Sequence, residues 1–213
     1  MEGSMQSPDR DAIASALIEK GLGKTMSASD LELAAQYVAE MGFTGMKDVE
    51  LFLFFLATAP ASAGRHLATK GGLFVHSFNV TKRLIEQTEL LHVPWPHRRS
   101  PYLVGMCHDL CKFDAYEEDP EYTNTFRKAT PLLPGHGMKS AAMLSALTGL
   151  FDHGQPVMEA EHAAIVFHMG AWGIGKEYSI DALDGAIKRY PLEIIATHTA
   201  DMLASQFDEV EDK

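Results

Sequence analysis

"SPYLVGMCHDLCK", residues 100–112, opens as a helix signal and closes on adjacent metal-capable side chains. Ser100 and Pro101 have the form of a cap and a first helical residue, because proline's missing N–H costs nothing at that position. Leu103, Met106, Cys107 and Leu110 then recur at helical spacing and predict a buried stripe. His108 and Asp109 follow on the same predicted helix, with Cys111 and Lys112 one turn further on. A His–Asp pair alone is a common coincidence. It gains meaning only if other metal-capable residues recur at intervals that folding can bring together.

Outward from this stretch the chain reads as helical. Ser29 and Glu32 have the capping-box pattern around Leu31, Ala34, Ala35 and Val38, with Gly42 as a stop. Leu51, Phe54 and Phe55 mark a helix ending near Pro60, and after the "KGGL" turn another runs from about Phe74 to Leu90. Helices resume near His136, around Val157 to His168, and from Pro191 to Phe207. Residues 114–135 contain three prolines and no period, and are read as a long loop. "WGIGKEYSIDALDGAI" (172–187) reads as an irregular insertion, and the acidic tail "FDEVEDK" (207–213) as a solvated end. The expected architecture is a single all-α domain, with N-terminal helices over residues 1–60 packing on a core over residues 61–207.

The net charge of −11 over 213 residues argues against an extended nucleic-acid partner, whose phosphates demand clustered Lys and Arg. A small anionic substrate stays open, since a bound cation reverses the local field. No apolar run approaches the ~20 residues of a membrane span, and no secretory pattern opens the chain. Cys107 and Cys111, four apart on a predicted helix, are badly placed for a disulfide. A cytoplasmic protein with no membrane partner is expected; its oligomeric state is left open.

His76, His108 with Asp109, His136, His168 and Asp201 follow one another at intervals of 32, 28, 32 and 33 residues. Each interval is about one helix and its connection, so helices packed around one axis could all point a ligand inward. Imidazole with carboxylate suits a divalent Mn, Fe, Co, Ni, Zn or Mg ion, one or two in number.

The ordered pattern H…HD…H…H…D resembles the HD-domain superfamily of metal-dependent phosphohydrolases. "GGLFVHS", "HDLCK", "GHGMKS", "AIVFHMG" and "YPLEIIATHTAD" resemble that family's local motifs, in order, between about His66 and Ser205, or roughly two-thirds of the chain. The resemblance implies an HD-type helical bundle with the metal site at its centre. It implies His76, His108, Asp109 and Asp201 as ligands of a primary metal, and His136 and His168 at positions that carry a second metal or touch substrate. Some branches have consecutive histidines where this chain has His168-Met169, which leaves the number of ions open between one and two.

The implied activity is hydrolysis of a phosphoester in a nucleotide or related small phosphorylated substrate by a metal-activated water. Asp109 would ligate and orient that water, and Lys112 would place a cation near the phosphate. Arg65 and His66 are further candidate phosphate or leaving-group contacts. Tyr122, Arg127 and Lys128 are candidates for gripping a base and its phosphates, and Trp172 either stacks on a base or covers the pocket. Alternatives are a 3′–5′ exoribonuclease-like phosphodiesterase, a di-iron oxygenase using the same six ligands, and a non-catalytic scaffold.

Plainer roles are expected elsewhere. Cys107 and Cys111 are read as core filling, and Asp114 and Glu117 as solvated. His162 is assigned to the surface or to a supporting contact, and His198 to hydrogen bonding behind Asp201. His92, His97 and His153 receive no role. "GAWGIGKE" (170–177) has the glycine spacing of a phosphate-binding loop, but Glu177 stands where a magnesium-binding hydroxyl is required.

Overall fold

The computed structural model of the chain describes residues 8–64, 67–123, 125–150 and 156–210. Within them the fold is all-α apart from one small hairpin. The helices are α1 (Arg10–Glu19), α2 (Ala28–Glu40), α3 (Met46–Ala57), α4 (Gly72–Leu91), α5 (Ser100–Cys107), α6 (Gly137–Ala146), α7 (Glu159–Phe167), α8 (Ile180–Arg189) and α9 (Pro191–Leu203). No described helix is long and apolar enough to cross a membrane.

α4 is the central element, packed against α3, α5 and α9, while α7 packs on both α6 and α9. Its first half is buried nearly all round, through Leu73, Phe74, His76, Ser77, Phe78 and Val80, and its second half turns Lys82, Glu86 and Glu89 to solvent. Full burial of a side chain such as Phe74 contributes about 2–3 kcal/mol. One apolar cluster runs without interruption from Ile13 and Leu17 of α1 to Ala196, Ala200 and Ala204 at the end of the chain.

Two close approaches set the positions of the helices that carry the central histidines. A Cβ on Gly105 of α5 would lie 2.5 Å from Thr81 Oγ1 and 2.7 Å from Thr81 Cα, so α5 lies on α4 at backbone contact. A Cβ on Gly137 would lie 2.3 Å from the carbonyl oxygen of Val166, which seats the start of α6 against the end of α7. Ser100, instead of capping α5, donates to the buried Glu161 of α7 at 2.7 Å. That bond ties α5 to α7.

Several local expectations are corrected. The cap of α2 is Ser27, whose hydroxyl accepts from Asp30 N at 3.1 Å, and not Ser29. α1 is the first of the helices expected over residues 1–60. The 114–135 stretch contains β1 (Tyr116–Glu118) and β2 (Phe126–Lys128), antiparallel with Glu117 opposite Arg127. Three-residue strands are too short to show a period, and the prolines lie outside them. The 172–187 insertion contains most of α8, capped by Ser179 and closed by Lys188 and Arg189, whose charges complement the helix dipole. Ile180, Leu183 and Ile187 do stand at helical spacing in it, but of the three only Leu183 is buried. The helix of the opening stretch also stops early, at Cys107, and Leu110–Asp114 form a tighter 3₁₀ turn.

Candidate metal centre

The helix ends on either side of the cluster follow one rule. His108 caps α5 and His168 caps α7. Each turns its ring back on its own helix: His108 Nδ1 lies 2.8 Å from the Gly105 carbonyl, and His168 Nδ1 lies 2.6 Å from the Ile165 carbonyl. A carbonyl can only accept, so the proton of each neutral ring sits on Nδ1. Nε2 is then left as a bare lone pair facing inward, as a metal ligand requires.

His76, on α4, has its Nδ1 at 3.0 and 3.1 Å from the two carboxylate oxygens of Glu209. Its Nε2 faces His108 Nε2 at 3.3 Å, Asp201 Oδ1 at 3.3 Å and Asp109 Oδ2 at 3.4 Å. His136, at the start of α6, brings Nε2 to 2.9 Å from Asp109 Oδ1, and His168 Nε2 stands 3.7 Å from the same oxygen. The ring centroids of His76–His108, His108–His168 and His136–His168 are separated by 5.2, 5.1 and 5.1 Å. All six residues read from the sequence as ligands therefore converge, although they come from separate helices and turns.

Asp109 is the hub. Its Oδ2 faces His76, His108 and the Lys112 ammonium, the last at 2.6 Å, while its Oδ1 faces His136 and His168. Burial alone would raise the Asp109 pKa, but Lys112, His108 and His136 hold it well below the usual carboxylate range. Burial likewise works against ionising Asp201, and its bond to His76 overrides that and lowers its pKa. Burial opposes protonation of His76, yet Asp109, Asp201 and Glu209 raise its pKa well above normal. His168 goes the other way: burial, then the charges of His136 and His108, push it down to about 3, so it stays neutral.

The donor set fits a divalent cation. His168 Nε2 is buried without a hydrogen-bond partner, and the buried Asp109 Oδ1 has only the His136 ring at 2.9 Å, a costly condition that a bound cation would relieve. Ligand atoms of His76, His108 and Asp109 lie within 4.8 Å of one another, as do those of His108, His168 and Asp201. Four imidazoles and two carboxylates suit the borderline first-row ions.

The chain matches no known family model, no curated protein and no solved structure.

The remaining candidates separate. Lys112 belongs to the cluster through Asp109. Arg127, on the hairpin, is paired with Glu117 at 2.7 Å, and Tyr122 is 64% exposed at the hairpin turn. Among the described residues no hydrogen bond or ion pair joins Tyr122, Arg127 or Lys128 to the cluster. Trp172 is 55% exposed and lies over His198 at 5.6 Å, and His198 Nδ1 donates to the His168 carbonyl at 2.6 Å. His162 bonds Ser145 at 2.7 Å. Arg65, His66 and His153 lie outside the described residues. Glu177, of the rejected phosphate-loop pattern, accepts from Met138 N at the start of α6 at 3.3 Å.

Three plain readings are corrected. Cys107 is core, but Cys111 is not mere filling: its Sγ lies 3.2 Å from His136 Nδ1 and its N–H donates to Ser140 Oγ at 3.1 Å. Asp114 is partly exposed but not merely solvated, because it pairs with the buried ammonium of Lys139 and fastens the 110–114 turn to α6. Within the acidic tail, Asp208 and Glu209 are not solvated ends either. Asp208 is bound by Arg83, with Nε at 2.8 Å, and the Glu209 side chain is only 1% exposed. No periodic pattern in the sequence singles out Glu209, because it lies past the last helix and its partner His76 is 133 positions away.

Proposed function

We propose that this chain is an HD-type metal-dependent phosphohydrolase that cleaves a phosphoester of a nucleotide or related small phosphorylated substrate. The observation that carries the reading is the division of Asp109: one carboxylate oxygen toward His76 and His108, the other toward His136 and His168. A bridging carboxylate between two groups of imidazoles favours two ions over one. When bound, such ions lower the pKa of coordinated water toward neutrality and offset charge on a phosphoryl group.

The protein's own residues supply the rest. Asp109 is held ionised, so it can bridge and orient. His168 stays neutral and keeps its lone pair. Lys112 neutralises part of Asp109, and its partly exposed ammonium is the nearest cation to receive a phosphoryl oxygen. Exposed Trp172 offers an aromatic face to a base. The net charge of −11 favours small substrates over long nucleic acid.

The test is elemental analysis of the purified protein, followed by a screen of nucleoside mono-, di- and triphosphates. Near two transition-metal ions per chain with phosphate release, both lost in His108→Ala, is the expected result. Metal-bound protein that spares mononucleotides and trims short oligonucleotides would move the assignment to a phosphodiesterase. Two irons with oxygen consumption on an organic substrate would overturn hydrolysis.

A further inference from the structure

Glu209 is four residues from the end of the chain, beyond the last helix, yet its side chain is among the most enclosed carboxylates in the protein. Sequestering a carboxylate is costly unless hydrogen bonds replace its water. One face of α4 provides them. His76 Nδ1 lies 3.0 Å from Oε1, and Asn79 Nδ2 donates to the same oxygen at 3.1 Å. One turn on, Arg83 binds the neighbouring Asp208 with Nε at 2.8 Å. His76, Asn79 and Arg83 follow at i, i+3 and i+7, so a single helical stripe grips the segment after Leu203. That segment, Ala204–Asp208, winds as a wider π-type turn, and Glu209 follows it onto His76.

We propose that Glu209 is a positioning residue for the cation at His76: it accepts a hydrogen bond from Nδ1, orients the ring and turns Nε2 toward the ion. The inference rests on the metal reading above and adds to it a residue outside the six ligands. A carboxylate behind a ligating imidazole fixes the tautomer and strengthens the ring as a donor. The Asp208–Arg83 pair then acts as the clasp that keeps the tail in place.

The experiment is titration of chelator-treated full-length protein with cobalt(II), for wild type, Glu209→Ala and Glu209→Gln. Affinity should fall about 10–100-fold in E209A and by a smaller factor in E209Q, whose amide oxygen still accepts from Nδ1. In the cobalt-loaded wild type the His76 ring N–H should give a slowly exchanging, hyperfine-shifted proton signal that E209A loses to solvent exchange. A merely structural role would lower the metal-free melting temperature while leaving affinity and that signal unchanged. Equal cobalt affinity in wild type and E209A overturns the proposal. If E209A does not fold, equal affinity and an equal proton-exchange rate in E209Q overturn it instead. Wild type that takes up no cobalt overturns the metal reading and this one together, which distinguishes the two failures.

Discussion

The Nε2 atoms of His76 and His108 stand 3.3 Å apart, and each ring's other nitrogen is already engaged, by Glu209 and by the Gly105 carbonyl. Two inward-facing nitrogens at that distance repel one another if both carry protons or if both are bare. Either a shared proton or a cation resolves the conflict. The surrounding carboxylates of Asp109 and Asp201 make a cation the better solution.

Asp109→Asn should remove metal uptake and also weaken the metal-free protein. The substitution leaves the Lys112 ammonium, 15% exposed, without its counter-charge. Breaking such a buried pair costs about 3–5 kcal/mol. Elemental analysis and chemical denaturation check the two halves separately; a variant that keeps wild-type metal content would remove Asp109 from the site.

Lys112→Met should separate chemistry from metal binding. The methionine keeps the length of the stem and removes the charge. Loss of a cation aimed at developing phosphoryl charge lowers kcat by about 100-fold or more. Metal content should remain that of the wild type. Unchanged kcat would mean that Lys112 serves only to neutralise Asp109.

Gly105→Ala should couple packing to the site. Its Cβ would stand 2.7 Å from Thr81 Cα, so α5 must move off α4. Overpacking of this kind costs about 1–3 kcal/mol. Because the Gly105 carbonyl orients His108, metal affinity should drop as well. A melting temperature and cobalt titration equal to wild type would show that the contact yields freely.

His168 should give the metal-free protein a specific acid sensitivity. Its folded pKa of about 3 lies below its ordinary value, so the unfolded chain binds a proton that the folded chain refuses. Its contribution to stability is therefore complete above pH ~6.5 and is lost as pH falls toward 3. Between pH 7 and 5 this amounts to about 2 kcal/mol. His168→Gln should lose that much less stability over the same interval, measured by denaturation with chelator present. Parallel pH profiles for the two proteins would contradict a neutral buried imidazole.

The long helices were legible because their stripes are long. Leu73, Ser77, Val80 and Leu84 repeat along α4, and Leu103, Met106 and Cys107 mark α5. The hairpin was not, since three residues per strand carry no period, whereas α8 does carry one, in Ile180, Leu183 and Ile187 behind Ser179, within a stretch interrupted by glycines. The HD pair was read as lying within a helix, whereas the helix ends just before it, and that ending frees His108 to turn its ring inward.

Residue type and order by themselves determined that this chain is all-α and that six metal-capable side chains recur one helix apart. That much follows from local periodicity and from which side chains can donate electron pairs. Only the tertiary structure decided which nitrogen of each imidazole faces the centre, that Asp109 divides its oxygens between two groups, and that Cys111 and Glu209 stand behind His136 and His76. Those facts depend on contacts between residues as far apart as His76 and Glu209, 133 positions along the chain, and no local pattern encodes such a pairing.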